Sequence, residues 1–232
     1  GQREILVEAY LPGREFALEG LLQAGALTVL ALFDKPDPLE GPFFEESIYV
    51  TPSRAESSVQ AAIMACVREG AAALGLREGS VHAEVRVNES GAWLIEAAGR
   101  SIGGRCSQSL RFTHAADVSL EELILRQAVG LPLPGVEREC AAGGVMMIPI
   151  PAAGTLLEVQ GLAQANAVPG VESVEITAPL NYPLVPLPEG ESYLGFILAR
   201  AETPEQVEAA LRQAHQALRF EIEPALVTLP PG

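Results

Sequence analysis

Glu84 and Glu96 carry the clearest chemical signal in this sequence, because a simple hairpin sets the two carboxylates directly opposite each other on one polar face. Val81 to Asn88 alternates, with Val81, Ala83, Val85 and Val87 on one side and His82, Glu84, Arg86 and Asn88 on the other, which predicts a half-buried strand. Glu89-Ser90-Gly91 then reads as a three-residue connection with glycine in the left-handed place, and Ala92 to Ala98 as the returning strand. Folding about Ser90 pairs Asn88 with Ala92, Arg86 with Leu94 and Glu84 with Glu96. It also stacks Val87 on Trp93, Val85 on Ile95 and Ala83 on Ala97 as a core face. Like charges opposed across a strand pair are destabilising, so the arrangement suggests a magnesium ion, a proton shared at raised pKa, or a guanidinium between them.

The elements around this hairpin read as mixed α+β. Ile5 to Tyr10, Glu15 to Leu22, Leu27 to Phe33 and Ser47 to Thr51 have strand character, and a proline-marked polar loop runs from Asp34 to Pro42. Ser53 with Glu56 predicts a capping box for a helix whose apolar stripe is Val59, Ala62, Ile63, Cys66, Val67 and Leu74, closed by Gly75. A second capping box, Ser119 with Glu122, opens a helix ending near Val129. Prolines and glycines then mark a change of composition, and the boundary between two domains, 1–140 and 141–232, is set there. Beyond it, strands are expected at Val145 to Pro149, Thr155 to Val159, Val171 to Thr177, Tyr193 to Ala201 and Phe220 to Ile222. Helices are expected near Leu162 to Ala165 and after Thr203-Pro204.

With 232 residues the chain is long enough for a sizeable core. A formal charge of -15 argues against general binding to nucleic acid or to an anionic membrane surface. No apolar run approaches the roughly 18 residues of a spanning helix, and no signal-peptide layout opens the sequence, so a cytoplasmic location is expected. Cys66, Cys106 and Cys140 lack zinc-ligand spacing and read as reduced thiols. Among the histidines, His82 shares the polar face of Glu84, whereas His114 and His215 suggest no role. Neither a nucleophilic triad nor a GxxxxGK[ST] phosphate loop is present.

Four stretches give the sequence a family likeness: LVEAYLPGREF (Leu6 to Phe16), FDKPDPLEGPFFEESIYVTPS (Phe33 to Ser53), VHAEVRVNESGAWLIEAAGR (Val81 to Arg100) and SIGGRCSQSLRF (Ser101 to Phe112). Over nearly its whole length the chain resembles the ATP-grasp ligases, in their L-amino-acid-ligase-like branch. The resemblance implies the second half of an ATP-grasp nucleotide-binding domain, an antiparallel sheet with flanking helices, followed by a small α+β C-terminal domain. It implies ATP and Mg2+ as cofactors, with Mn2+ as a substitute. Glu8, Ala9, Tyr10 and Leu11 would line the adenine site, Glu15 would take the ribose hydroxyls, and Glu84 and Glu96 would hold the metal. Arg100 would touch the transferred phosphoryl group and Lys35 would contact phosphate. Glu46 and Tyr49 would lie near the amino-acid substrate, with Gly103 and Gly104 in the loop beside the acceptor. Many members of the family have asparagine as a further metal ligand where this chain has Ala98.

The reaction implied is carboxylate–amine ligation through an acyl phosphate. A first residue that is Gly1 rather than methionine raises the expectation of a fragment that lacks the N-terminal domain of the same polypeptide and is inactive alone. The alternatives are a non-catalytic binding or assembly module derived from the fold, and an enzyme like carbamoyl-phosphate synthase or phosphoribosylglycinamide synthetase. The expected partners are ATP, a small carboxylate and an amine, with a homodimer compatible.

Overall fold

The stretch from Glu15 to Leu22 is buried without a break, so it forms a central strand covered on both faces. The structure, a computed structural model, describes residues 7–38, 46–113, 118–187, 189–190 and 192–224. In chain order the elements are β1 (Arg14–Gln23), β2 (Ala26–Asp34), β3 (Ile48–Thr51), α1 (Ser57–Ala73), β4 (Gly79–Asn88) and β5 (Gly91–Ala98). A 3-10 turn follows at Cys106–Ser109, then α2 (Leu120–Ala128), β6 (Ala142–Ile148), β7 (Gly154–Gln160), α3 (Leu162–Asn166) and β8 (Val171–Ile176). The last are β9 (Pro183–Leu184), β10 (Gly195–Ala201), α4 (Pro204–Ala217) and β11 (Arg219–Pro224). Eight strands form one antiparallel sheet in the order β5-β4-β1-β2-β3-β6-β10-β8, and β11-β7-β9 form a second. The large sheet crosses residue 140 through the pairing of β3 with β6.

Each face has its own cover. On one side Phe16, Leu18, Leu32, Ala83 and Val85 meet Ile63 and Val67 of α1. On the other, Ala17, Leu21 and Phe33 meet Leu120 and Leu123 of α2 and Cys106 of the 3-10 turn. The second core joins Val145's neighbours on β6 and β10 to α3, α4 and the small sheet, with Ile197, Val207, Leu211 and Leu156 all fully buried. Among the described residues, no helix is long and apolar enough to cross a membrane.

Several expectations are corrected. The β4–β5 connection has two residues, Glu89 and Ser90, because Asn88 pairs with Gly91. One extra residue at Ile95 then restores Glu84 opposite Glu96. The displaced register turns Ala92 and Leu94 to the core and leaves Trp93 and Ile95 at 42% and 44% exposure. The space for Leu94 comes from α1, where a Cβ on Gly70 would meet Leu94 Cδ2 at 2.5 Å. The strand β4 is not half-buried: His82 and Arg86 are as sequestered as the valines opposite. Ser53 does not cap α1, which starts later behind Glu56 without a side-chain cap, because Ser53 Oγ donates to Asp34 instead. Of the strand expected from Ile5 to Tyr10, Ile5 and Leu6 lie outside the described residues. Val7 to Tyr10 is not a strand, since both edges of β1 are already taken by β2 and β4. His114 also lies outside the described residues.

Candidate active site

The period-2 alternation of β1 and β4 sends Glu15, Ala17 and Glu19 to the same face as Arg86, Glu84 and His82, their direct cross-strand partners. Opposite Glu84 stands the small Ala17, so the carboxylate is not filled in by its neighbour. It reaches sideways instead, towards the ends of β2 and β3. There Lys35, one residue beyond β2, points its ammonium at three carboxylates: Glu15 at 2.5 Å, Glu46 at 2.6 Å and Glu84 at 3.1 Å. The lysine side chain is only 3% exposed. Its Nζ lies 5.1 Å above the ring of Tyr49, and the Tyr49 hydroxyl donates to Glu84 at 3.3 Å.

Burial opposes the charge on Lys35, but the three carboxylates hold its pKa above the usual lysine range. Burial raises Glu84 to about 7 against the pull of Lys35, with Glu46 adding repulsion. Burial works on Glu46 in the same sense, yet the adjacent Lys35 carries it below the ordinary carboxylate value. Tyr49 is pushed far up by burial and by both glutamates, so its phenol stays a donor.

Glu8, Ala9, Tyr10 and Leu11 line a cleft of about 330 Å³, closed by Glu15, Glu46, Glu84 and Arg86. Arg86 ties this segment to the sheet. Its Nε donates to Glu15 at 2.7 Å, its guanidinium to the Leu11 carbonyl at 2.8 Å, and it lies 5.1 Å from the Tyr10 ring centre. Glu15 therefore accepts from Lys35 on one oxygen and from Arg86 on the other. The guanidinium of Arg86 serves Glu15 and not Glu84.

A second cavity of about 140 Å³ adjoins the first. It is bounded by Tyr49, His82, Glu96, Arg100, Gly103 and Gly104, and shares Glu46 and Glu84 with the larger cleft. Gly104 has φ +59, and a Cβ there would stand 2.5 Å from Met147 Sδ, so the loop rests directly on β6. Glu96 and Arg100 form an exposed pair at 3.6 Å. Glu84 and Glu96 thus face each other in register, each with its own cation. All the site residues named from sequence line one of the two cavities or, for Lys35, bridge their shared carboxylates.

The sequence reading missed Glu19. It is fully buried beneath the smaller cavity, accepts from Ser80 Oγ at 2.8 Å and from the Ile102 amide at 3.0 Å, and burial raises its pKa to about 8. The available signal was a lone carboxylate inside the apolar run Phe16 to Leu22. Beside it, His82 Nδ1 has no hydrogen-bond partner, lying 4.0 Å from Glu19, while Nε2 lies 3.9 Å from Glu84. Burial depresses the His82 pKa.

These donors suit a hard divalent cation. Glu15, Glu46 and Glu84 bring carboxylate oxygens to within 4.8 Å of one another, and Glu96 faces Glu84 from the next strand. Ala98 pairs with His82 and offers no ligand atom.

Residues 1–109 match the ATP-grasp domain family, and residues 146–223 match the L-amino acid ligase C-terminal domain 2. The chain is similar to the crystal structure of L-amino acid ligase from Bacillus licheniformis, at TM-score 0.80 and 27% identity over 92% of this chain and 53% of that one. The biotin carboxylase domain of Hydrogenobacter thermophilus 2-oxoglutarate carboxylase, solved with MgADP, ADP and bicarbonate, superposes at TM-score 0.63 and 16% identity, over 90% of this chain and 46% of that one. A curated relative, the uncharacterized protein y4rH of Sinorhizobium fredii, is 24% identical over 95% of this chain and 45% of its own length. The chain spans about half the length of these relatives.

Proposed function

Because the chain belongs to the ATP-grasp superfamily, in the L-amino-acid-ligase-like branch, we propose that it carries half of the active site of an ATP-dependent carboxylate–amine ligase. The reaction passes the terminal phosphoryl group of ATP to a carboxylate, and an amine then displaces phosphate from the acyl phosphate. The observation that carries this reading is the pair of adjoining cavities with Glu46 and Glu84 on their common wall. A group transferred from a nucleotide in the larger cleft to an acceptor in the smaller one has to pass these two carboxylates.

The backbone of Glu8 to Leu11 would bind adenine, and Glu15 the ribose. Magnesium, held by Glu84 and Glu96 and replaceable by manganese, would neutralise phosphate charge. Arg100, half-exposed at the mouth of the smaller cavity, would meet the acyl phosphate, where a delocalised guanidinium matches phosphate oxygens. Tyr49 and Glu46 would orient the amino-acid substrate, with Gly103 and Gly104 giving it backbone access. Such catalysis consists of positioning and electrostatic stabilisation. The part before residue 140 would carry these groups, and the part after it would be an L-amino-acid-ligase-type domain that shares the same sheet. The activity is proposed for the whole cytoplasmic protein, including the portion of the relatives that this chain does not span.

Calorimetric titration of Mg-ATP, with ADP release followed in parallel, tests the assignment in the longest soluble polypeptide containing these residues. Glu96→Gln is expected to weaken nucleotide binding and abolish ADP release. Unchanged affinity and unchanged turnover would rule out the metal role. A second reading is favoured by Glu15, whose two oxygens are both engaged by Lys35 and Arg86: a binding module that no longer turns over. Nucleotide binding without ADP release in the wild type would select it.

A further inference from the structure

Lys35 is the only lysine in the chain, and every other permanent cation among the fifteen Lys and Arg residues is arginine. An arginine's planar fork reaches two acceptors at once, as Arg86 does with Glu15 and the Leu11 carbonyl and Arg54 with Asp34 and Glu208. The place where the sequence has its single lysine is different. Three carboxylates converge there on one point, and a compact ammonium fills it as a spherical ion would. The same three groups make up the described oxygen cluster able to hold a divalent cation.

Glu84 belongs to two sets. It accepts from Lys35, and it faces Glu96, whose own carboxylate is half-exposed and held by Arg100 alone at 3.6 Å. A dication held by Glu84 would share that carboxylate with the lysine ammonium 3.1 Å away from it, and like charges in a sequestered site repel. The imidazole of His82, buried with one nitrogen unpartnered and the other 3.9 Å from Glu84, donates no compensating bond to that carboxylate. The residues on either side of Lys35 are anchored independently of it: Asp34 is held by Ser53 and Arg54, and Asp37 by Ser47 and by Arg212 of α4. Outside the cluster Lys35 borders an open cleft of about 800 Å³ with Tyr10, Arg14 and Glu15.

We propose that Lys35 is the resting counter-ion of the metal position: its ammonium and a divalent cation compete for Glu84, and metal binding releases the lysine towards the open cleft that it borders. The inference rests on the metal role given above to Glu84. It adds that affinity for the free ion is set by how often the lysine leaves.

Two measurements without nucleotide test it. In a Mn2+ titration followed by electron paramagnetic resonance, Lys35→Met is expected to bind the ion about tenfold more tightly than wild type, because the competing state has been removed. Adding Glu84→Gln in the same background should abolish the gain. Equal or weaker Mn2+ binding by Lys35→Met would overturn the proposal. The second measurement uses the wild type and so does not depend on the variant folding. Trinitrobenzenesulfonate labelling of Lys35, read on the tryptic peptide spanning residues 15–54, should accelerate when Mn2+ is added, and an unchanged or slower rate would also overturn it. The ligase reading fails separately. If the wild type shows neither Mg-ATP binding nor ADP release while Lys35→Met still gains Mn2+ affinity, the exchange stands and the ligase assignment falls. The reverse pattern removes the exchange alone.

Discussion

The two ends of the eight-stranded sheet bury opposite kinds of side chain. Every buried charged or polar residue described, including Glu15, Glu19, Asp34, His82 and Arg86, precedes residue 110. The core around β6, β10 and α4 is apolar throughout. One sheet therefore carries both a conventional core and a region where charge has been taken out of water at considerable expense. In that region each charge depends on a named partner: Glu15 on Lys35 and Arg86, Asp34 on Ser53 and Arg54, Glu19 on Ser80 and the Ile102 amide. Stability near β4 is thus a matter of pairing, and near α4 of packing.

The strongest way to break this contrast is Arg86→Met. It strips Glu15 of one of its two cations and frees the Leu11 carbonyl, and removing one partner of a buried pair costs about 3–5 kcal/mol. Urea denaturation should show that loss, and combining it with Glu15→Gln should recover a large part, because the stranded charge disappears. Leu211→Ala, in the apolar core, is expected to cost about 2–4 kcal/mol through the cavity it leaves, with no polar substitution able to restore it. Recovery of Leu211→Ala by a neighbouring charge change, or failure of Glu15→Gln to help Arg86→Met, would erase the distinction.

The apolar region was largely legible. Tyr193 to Ala201 and the helix after Thr203-Pro204 appear close to where their residue types put them, because packing periodicity and a capping box are local signals. The charged region was legible in its residue types but not in its connections. The opposition of Glu84 and Glu96 came from alternation, although it depends on a shorter turn and an extra residue at Ile95 that only the fit of Leu94 against Gly70 explains. The meeting of Lys35 with Glu84 spans 49 residues, and that of Arg86 with Glu15 spans 71. No local pattern encodes either. Glu19 escaped notice because an apolar strand hides its own exceptions.

Glu19 sharpens the contrast through pH. Its folded pKa is about 8 against an ordinary 4.5, so the unfolded chain gives up this proton first as pH rises. Its contribution to stability is full below about pH 4.5 and is lost as pH climbs towards 8. Glu19→Gln keeps an acceptor for the Ile102 amide and a group able to bond Ser80, while removing the titration. It should therefore raise stability by about 2 kcal/mol at pH 8, after allowing for less favourable hydrogen bonding, and leave stability near pH 4 almost unchanged. Thermal melts at the two pH values separate this from a general packing effect, which would shift both equally. A variant no more stable than wild type at pH 8 would mean that the carboxyl ionises without strain in the fold.

Helix caps provide the finest test of the comparison. In α4, Thr203 accepts from the Gln206 amide and the Gln206 side chain returns the bond, so Thr203→Ala should cost about 1 kcal/mol. At the corresponding end of α1 the cap position is Glu56, which makes no side-chain cap, while Ser53, three residues earlier, donates to Asp34 and accepts from the Ala55 amide. The serine suited to capping is thus committed to a buried carboxylate beside the Lys35 loop, and the helix begins uncapped. Glu56→Ser should supply the absent cap without disturbing Asp34 and raise the urea midpoint by an amount equivalent to about 0.5 kcal/mol. Ser53→Ala should lower it through Asp34, and Glu56→Ser should not rescue that loss. If Glu56→Ser did rescue it, Ser53 would be acting on the helix after all, and the claim that pairing takes precedence over local helix chemistry in this region would fail.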